Sequence, residues 1–309
     1  MSLTRYEFEL LTYVERKGKA EISLRLLGDE LCISGTTVLN SINRLCDDGL
    51  LNKDIRQLSV TEKGLQALEP YRVKRAIILA AGFGSRMMPA TKDRPKPMVT
   101  VNGVRIIDTL LDALVRVGIK DILIVGGYQK EKLRELLQKY PFLRFVDNPE
   151  YDCTNNISSA VLSASDLYDG SYFCEADLYI TNPDVIRKYQ YQSNILGSYS
   201  LETDDWSFKM SDGFLTDYRK GNTYCYNYYG ISYWTPEDCD KLREDFLSVY
   251  NEPDGKDYFW EFIPFVLKKE RYKVEIRPCK KQDIMEIDNY YELAGLDPSY
   301  EIVDEGEGL

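Results

Sequence analysis

The sequence predicts an α/β fold with a mostly parallel sheet, preceded by a small domain of helices and a β-hairpin. From about residue 75 onward, short apolar strands alternate with helices, which is typical of a parallel sheet covered on both faces. Before that point the pattern changes to short helices followed by two strands that can pair. We therefore predict two domains, residues 1–72 and residues 73–309.

The first domain has the predicted element order of a winged helix-turn-helix. Ser34 can cap its third helix and Thr61 its last, because a hydroxyl oxygen accepts a hydrogen bond from the first turn of a helix. Residues 34–51, followed by residues 58–64, resemble winged-helix regulators of the multiple-antibiotic-resistance repressor type. The predicted elements are helices at about residues 4–16, 24–31 and 35–48, strands at 50–53 and 57–60, and a helix at 62–68.

The second domain alternates strands with helices until about residue 176 and then changes character. Between about residues 194 and 231, aromatic residues alternate along the chain, which indicates antiparallel strands. The parallel part is predicted to contain strands at about residues 75–80, 122–125, 143–146 and 172–176, and helices at 106–117, 130–139 and 158–166.

The composition argues against several classes of function. The 309 residues carry a net charge of −11, which disfavours binding to nucleic acid or to an anionic membrane surface. No segment resembles a signal peptide or approaches the ~20 apolar residues that span a bilayer, so we expect a cytoplasmic protein. The seven cysteines are scattered and never in C-x-x-C spacing, which argues against a disulfide framework and a zinc site.

The chain contains no histidine. This excludes Ser-His-Asp and Cys-His catalysis, histidine-ligated metals and histidine acid–base chemistry. Any catalysis must therefore use carboxylates, lysine, arginine, hydroxyl groups or a metal ion held by carboxylates.

The strongest chemical signal is the segment LAAGFGSR, residues 79–86, which follows a predicted strand. Because Gly82 and Gly84 lack side chains, the backbone can approach a nucleotide and direct N–H groups at its phosphates. Arg86 and Lys96 can add fixed positive charge. The segment lacks the third glycine of a dinucleotide fingerprint and the Gly-Lys-Ser/Thr of a P-loop. The residues expected to contact the nucleotide here are Leu79, Ala80, Ala81, Gly82, Gly84, Ser85 and Arg86.

A series of motifs in the second domain resembles the sugar-phosphate nucleotidyltransferase superfamily. In chain order these are LAAGFGSR, Lys96-Pro97, Val101-Asn102-Gly103, Ile124-Val125-Gly126-Gly127-Tyr128, Glu175-Ala176-Asp177 and Glu286-Ile287-Asp288. Over about residues 73–296, the sequence is most similar to the cytidylyltransferases that activate phosphocholine in bacteria. The resemblance implies a Rossmann-like nucleotidyltransferase sheet with an antiparallel substrate-binding insertion. It also implies Mg²⁺-dependent transfer of CMP from CTP to phosphocholine, with release of pyrophosphate.

Two aspartates are candidate metal ligands. Asp177 closes an apolar strand, where open α/β sheets bind ligands, although an aspartate there can also start a turn. Asp288 follows a second β-like stretch, and carboxylates from distant strands can hold one Mg²⁺ shared with phosphates. The resemblance implies that Asp177 and Asp288 are the ligands. We expect Arg86, Lys96 and Asp177 to be catalytic by positioning and neutralising the phosphates for attack by an acceptor oxygen that is already anionic.

Residues 151–159 are polar, and the resemblance implies that this loop and helix start meet the nucleobase. Asn155 and Asn156 can present amide donors and acceptors to a pyrimidine edge. Ser158 can contact the base as well, or it can cap the helix that follows.

Aromatic residues in the antiparallel region are candidates for binding a quaternary ammonium group. Such a cation has no N–H group, so aromatic faces and a nearby carboxylate bind it. Alternating tyrosines in a sheet can equally be core residues or cross-strand pairs. The candidate substrate-binding residues are Trp206, Tyr228, Tyr229, Trp260 and Glu261, with Asp205 beside the first of them.

Several alternatives stay open at the level of sequence. The acceptor could be 2-aminoethylphosphonate, phosphoethanolamine or a sugar 1-phosphate instead of phosphocholine. The first domain, with ten lysines and arginines against eleven aspartates and glutamates, could mediate homodimerisation or docking, bind DNA weakly, or sense a ligand. A different class of protein, a winged-helix transcription regulator with a nucleotide-sensing second domain, is also compatible with these motifs.

Overall fold

The chain forms two compact units in a computed structural model that describes residues 2–300. The first unit contains the residues up to Arg72 together with Tyr189–Tyr191. The second contains Val73–Lys188 and the residues from Gln192 onward. Each unit encloses a hydrophobic core of its own.

The first unit combines helices with a small antiparallel sheet. Its elements are α1 (Arg5–Lys17), β1 (Ala20–Glu21), α2 (Leu24–Leu31), α3 (Gly35–Asp47), β2 (Leu51–Asp54), β3 (Gln57–Val60) and α4 (Glu62–Leu68). The hydroxyls of Thr4, Ser34 and Thr61 each accept a hydrogen bond from the first turn of the helix that follows. Apart from β1, these elements lie within a few residues of the predicted ones. The winged-helix assignment itself, and with it homodimerisation or DNA binding, stays a prediction.

Gly64, in the first turn of α4, lies against the backbone that precedes β2. A Cβ atom on Gly64 would lie 2.2 Å from the carbonyl oxygen of Leu50 and 2.8 Å from Cγ1 of Val60. We therefore expect Gly64→Ala to destabilise the first unit by about 2 kcal/mol or more, because the backbone must move to relieve the clash. Faster hydrogen exchange of backbone amides in α3 and β3 would measure this loss.

The matched control for that variant is Gly35→Ala, at the start of α3. A Cβ atom there would have no neighbour closer than 3.7 Å, and alanine favours the helix more than glycine does. Exchange in α3 should therefore stay unchanged or become slower. Equal exchange rates in the two variants would contradict the prediction for Gly64.

The second unit is built around one large sheet. Its elements are β4 (Arg75–Ala80), β5 (Thr100–Val101), β6 (Val104–Arg105), α5 (Ile106–Arg116), β7 (Asp121–Gly126), α6 (Lys130–Leu133), β8 (Arg144–Asp147), α7 (Ile157–Ser163), β9 (Ser171–Glu175), β10 (Leu178–Ile180), β11 (Asn194–Ser211), β12 (Phe214–Trp234), α8 (Pro236–Tyr250), β13 (Glu275–Pro278), β14 (Ile284–Glu286) and α9 (Tyr290–Leu296).

The large sheet has the strand order β11-β13-β12-β9-β4-β7-β8. Its centre is β4, which pairs in parallel with β7 on one side and with β9 on the other. Residues 76–80 of β4 are all buried, as expected for a strand covered on both faces. The antiparallel hairpin of β11 and β12 joins this sheet through β9. The predicted α/β fold with a mostly parallel sheet and an antiparallel region is confirmed.

Helix α8 was not predicted from the sequence. Thr235 caps it, and its apolar side chains Leu242 and Phe246 pack beside Trp234 in a core on one face of the sheet. The charged residues between those apolar positions conceal the helical spacing in the sequence. None of the helices within residues 2–300 is long and apolar enough to cross a membrane.

A small antiparallel pair brings two distant parts of the second unit together. β10, which follows β9 after two residues, pairs with β14 so that Leu178 lies opposite Glu286. Asp177 precedes the first of these residues and Asp288 follows the second. The register therefore brings both aspartates to the same end of the pair.

Candidate active site

The turn that follows β4 is held in place on one side and open on the other. The carbonyl of Ala81 accepts a 3.0 Å hydrogen bond from the backbone of Tyr128. Gly84 has a φ of 61°, and a Cβ atom on it would lie 2.8 Å from Cβ of Lys96, so glycine is required for this close approach. A Cβ atom on Gly82 would meet nothing within 4 Å. The turn thus presents backbone to open space.

That space is a cavity of about 310 Å³, which we call the glycine-turn cavity. Of the turn residues predicted to contact a nucleotide, Ala81 alone does not line it, because its carbonyl is turned to Tyr128. Glu175 also lines the cavity, although no site role was predicted for it. The lining residues are Leu79, Ala80, Gly82, Phe83, Gly84, Ser85, Arg86, Lys96, Pro97, Glu175, Ala176, Asp177 and Asp288.

Lys96 lies between the two predicted metal ligands. Its Nζ atom is 3.0 Å from an oxygen of Asp177 and 3.6 Å from an oxygen of Asp288. Burial opposes the charged form of the ammonium, but the two carboxylates raise the pKa of Lys96 above its usual value. The guanidinium of Arg86, which is largely exposed, lies 3.2 Å from Asp288. The predicted cations and carboxylates therefore converge on one place.

A second cavity of about 450 Å³, which we call the aromatic cavity, is lined by three of the predicted substrate-binding residues. These are Trp206, Tyr228 and Tyr229. The ring of Trp206 stacks on Tyr218, with the ring centroids 4.9 Å apart, so its orientation is fixed by packing. The other lining residues are Thr203, Asp205, Asn227, Lys281, Ile284, Met285, Glu286, Glu292, Gly295 and Leu296.

Three carboxylates join the two cavities. Oxygens of Asp205, Glu286 and Asp288 lie within 4.8 Å of one another. The first two residues line the aromatic cavity, and the third lines the glycine-turn cavity. Burial, together with the charges of Asp177 and Asp288, raises the pKa of Glu286 to about 8. A positive charge would therefore be bound favourably at this junction.

Trp260 and Glu261, unlike the other three predicted substrate-binding residues, do not line the aromatic cavity. Trp260 is 1% exposed and packs edge-on to Phe173 in the core, while its indole N–H donates a 2.9 Å hydrogen bond to Glu175. Glu261 is also buried, and it accepts a 2.9 Å hydrogen bond from the hydroxyl of Tyr228. Burial raises the pKa of Glu261 to about 7.

The predicted base-contacting residues are engaged within the protein instead of facing the glycine-turn cavity. The amide of Asn155 donates to the carbonyl of Asp257 at 3.1 Å. The Asn156 side chain accepts a hydrogen bond from the backbone of Trp260 at 2.8 Å. Ser158 is buried, and its hydroxyl donates back to the carbonyl of Asn155 at 3.0 Å. These hydrogen bonds hold the loop and the start of α7 in place, and contact of these residues with a nucleobase stays a prediction.

Sequence reasoning also missed several residues that line the aromatic cavity. Lys281, Glu292 and Asn227 come from three separate elements or loops, and no motif connects them. Glu175, which lines the glycine-turn cavity, could have been found, because it lies two residues before Asp177 and its carboxylate is unusual at the end of a largely apolar strand. For the others, no local signal was available.

Comparisons with known proteins show similarity to nucleotidyl transferases. A family model described as nucleotidyl transferase matches residues 75–200. A 2-aminoethylphosphonate cytidylyltransferase of Lancefieldella rimae is 37% identical over 228 residues, which are 73% of this chain and 92% of the relative. A choline-phosphate cytidylyltransferase of Streptococcus pneumoniae is 30% identical over 221 residues, 70% of this chain and 93% of the relative.

A solved structure is similar as well. It is that of the CTP:phosphocholine cytidylyltransferase of Streptococcus pneumoniae, which is 29% identical in sequence to this chain. The superposition has a TM-score of 0.68 and covers 74% of this chain and all of that chain. The similarity thus spans the complete solved chain.

Proposed function

The chain belongs to the nucleotidyl transferase family and is an enzyme of the cytidylyltransferase type, and on this premise we propose that it transfers CMP from CTP to a small acceptor with an ammonium group. The acceptor carries a phosphate or phosphonate at its other end. Pyrophosphate is the second product. This assignment agrees with the absence of histidine, since an anionic acceptor oxygen needs no general base.

The observation that carries the proposal is the junction of the two cavities. The glycine-turn cavity offers backbone and the cations Arg86 and Lys96 to a triphosphate. The aromatic cavity offers Trp206 and carboxylates to an ammonium group. An acceptor whose ammonium is bound among those groups would direct its anionic end to the junction of the two cavities. There an oxygen of that end would attack the α-phosphorus of CTP.

The acceptor that we favour is 2-aminoethylphosphonate. Its primary ammonium can donate hydrogen bonds to the carboxylates of Asp205 and Glu286, which line the cavity. Because Trp260 lies in the core, it does not help to form an aromatic cage for a quaternary ammonium. The relative from Lancefieldella rimae bears the name of this acceptor. Phosphocholine is the second candidate, because Trp206, Tyr228 and Tyr229 still present aromatic surface.

Asp177 and Asp288 fit a magnesium site. Both line the glycine-turn cavity, and carboxylate oxygens are the ligands that Mg²⁺ prefers. A bound Mg²⁺ would act there as a Lewis acid that neutralises phosphate charge. Lys96 and Arg86, which contact these carboxylates, would hold the phosphates and stabilise the charge that develops on pyrophosphate.

The test is a matrix of pyrophosphate-release assays with Mg²⁺. CTP, UTP, dTTP and GTP are each combined with 2-aminoethylphosphonate, phosphocholine, phosphoethanolamine and glucose 1-phosphate. We expect release with CTP and 2-aminoethylphosphonate, and slower release with phosphocholine. Release only with a sugar phosphate would overturn the proposed acceptor class. Nucleotide binding without release for any pair would favour a nucleotide-sensing regulator.

A further inference from the structure

Glu261 is a buried carboxylate placed directly behind the aromatic cavity. It is 5% exposed, and one oxygen accepts a hydrogen bond from Tyr228, whose side chain lines the cavity. Its other oxygen accepts from the amide of Asn156 at 3.5 Å. In the part of the chain that the structure describes, no lysine or arginine forms an ion pair with Glu261. Residues 2–300 thus supply no close counter-ion for this carboxylate.

A second carboxylate, the half-buried Glu175, shares part of the same surroundings. It accepts hydrogen bonds from the indole of Trp260 at 2.9 Å and from the amide of Asn156 at 3.4 Å. Buried charges are unfavourable unless an opposite charge compensates them, and hydrogen bonds alone compensate them only in part. A cation bound in the aromatic cavity would provide that compensation for the side chain nearer to it, Glu261.

Tyr228 connects the buried carboxylate with the cavity. Its O–H donates to Glu261 at 2.9 Å, and such a charge-assisted hydrogen bond polarises the phenol toward a more electron-rich ring. A more electron-rich ring attracts a cation more strongly. The neighbouring Tyr229 also lines the cavity, but its hydroxyl shares a 3.0 Å hydrogen bond with Ser198, which is uncharged. The two tyrosines therefore differ in the charge behind them.

We propose that Glu261 is a positioning residue that makes the enzyme selective for cationic acceptors through Tyr228, without contacting the acceptor itself. The inference rests on the proposed function, because it concerns the ammonium end of the proposed acceptor. It also gives an indirect role to Glu261, which was predicted from the sequence to contact the acceptor directly. If Glu261 favours cationic acceptors through the ring of Tyr228, this explains why a carboxylate that forms no ion pair within residues 2–300 lies next to this cavity.

The experiment measures the ratio of kcat/KM for a cationic acceptor to kcat/KM for its neutral isostere. If the wild type uses 2-aminoethylphosphonate, its neutral isostere is propylphosphonate. If the wild type uses phosphocholine, the neutral isostere is 3,3-dimethylbutyl phosphate. Glu261→Gln keeps the shape of the side chain and one oxygen that can accept the hydrogen bond from Tyr228, but it removes the charge. We expect this variant to lower the ratio about tenfold, chiefly through KM for the cationic acceptor, with little change in KM for CTP.

Two further variants distinguish the route through Tyr228 from a general structural effect. Tyr228→Phe should lower the ratio as Glu261→Gln does, and the double variant should lower it no further, because both changes break one connection. Tyr229→Phe, the matched control, should leave the ratio unchanged even if it alters the rate. Additive losses in the double variant, or an equal loss with Tyr229→Phe, would overturn the proposal.

The outcomes also separate this inference from the proposed function. A wild-type enzyme with no preference for the cationic acceptor would contradict the proposed acceptor class. A wild-type preference that Glu261→Gln retains in full would contradict only the role of Glu261. If Glu261→Gln does not fold, Tyr228→Phe alone decides the question, because an unchanged ratio in that variant rules out transmission through the hydroxyl.

Discussion

Replacement of Asp177 by asparagine is expected to lower kcat by about 10³-fold or more while the protein remains folded. The side chain follows the end of β9 and lines the glycine-turn cavity, 3.0 Å from Lys96. Asparagine has nearly the same shape but lacks the negative charge that makes a carboxylate a strong ligand for Mg²⁺. Pyrophosphate release measures the loss, and circular dichroism and thermal unfolding check the fold.

The control for this variant is Asp212→Asn. Asp212 is exposed, lines neither cavity and lies between β11 and β12 with a φ of 52°, a conformation that asparagine also adopts. Activity should therefore be unchanged. Full activity of Asp177→Asn under the same conditions would contradict the proposal that Asp177 binds Mg²⁺. Asp288 would then have no second aspartate with which to hold the ion.

Replacement of Lys96 by methionine is expected to lower kcat/KM about 10²- to 10³-fold. Lys96 is the buried cation between Asp177 and Asp288, and these carboxylates keep it charged. Methionine retains the packing of the side-chain stem against Gly84 but leaves the two carboxylates facing the phosphates without that ammonium. Steady-state kinetics with CTP at several Mg²⁺ concentrations measure the effect.

Lys92→Met provides the comparison within the same loop, because Lys92 is exposed and lines neither cavity. Its activity should match the wild type. A loss confined to KM for CTP in Lys96→Met would show that the ammonium binds the ground state and the transition state equally. An unchanged kcat/KM would exclude Lys96 from the phosphate site altogether.

The glycine turn was predictable because its determinants are local. A strand of apolar residues leads into Gly82 and Gly84, and the steric freedom of glycine acts within a few residues of the chain. The structure adds why Gly84 is needed, since any Cβ there would clash with Lys96. The alternation of strands and helices was predictable for the same reason, because it rests on short-range spacing of apolar residues.

The direction of the side chains in the predicted base-contacting loop could not be read from the sequence, because polarity in a loop does not reveal where its side chains point. Asn156 has donors and acceptors that suit a pyrimidine edge, but they also suit the backbone of Trp260 and the carboxylates of Glu175 and Glu261. The protein satisfies them internally. The choice between a ligand and the protein itself depends on contacts that lie far apart in sequence.

The kinds of residue that line the aromatic cavity were predictable from the sequence, but which individual residues line it was not. Aromatic residues and a carboxylate were expected together, and Trp206, Tyr228 and Tyr229 do share a cavity. Trp260 has the same chemistry but packs in the core, because its large apolar surface contributes more when it is buried against Phe173. Sequence alone cannot assign such residues to a core or to a cavity.

The sequence by itself determined the α/β class, the glycine turn with its cations, and the exclusion of histidine chemistry, because each depends on composition or on neighbours along the chain. Only the tertiary structure decided which carboxylates lie close together. The antiparallel register of β10 and β14 brings Asp177 to Asp288, and the hydrogen bond from Tyr228 places Glu261 behind the cavity. Strand pairing and burial of this kind join residues that the chain separates widely, so no local pattern can encode them.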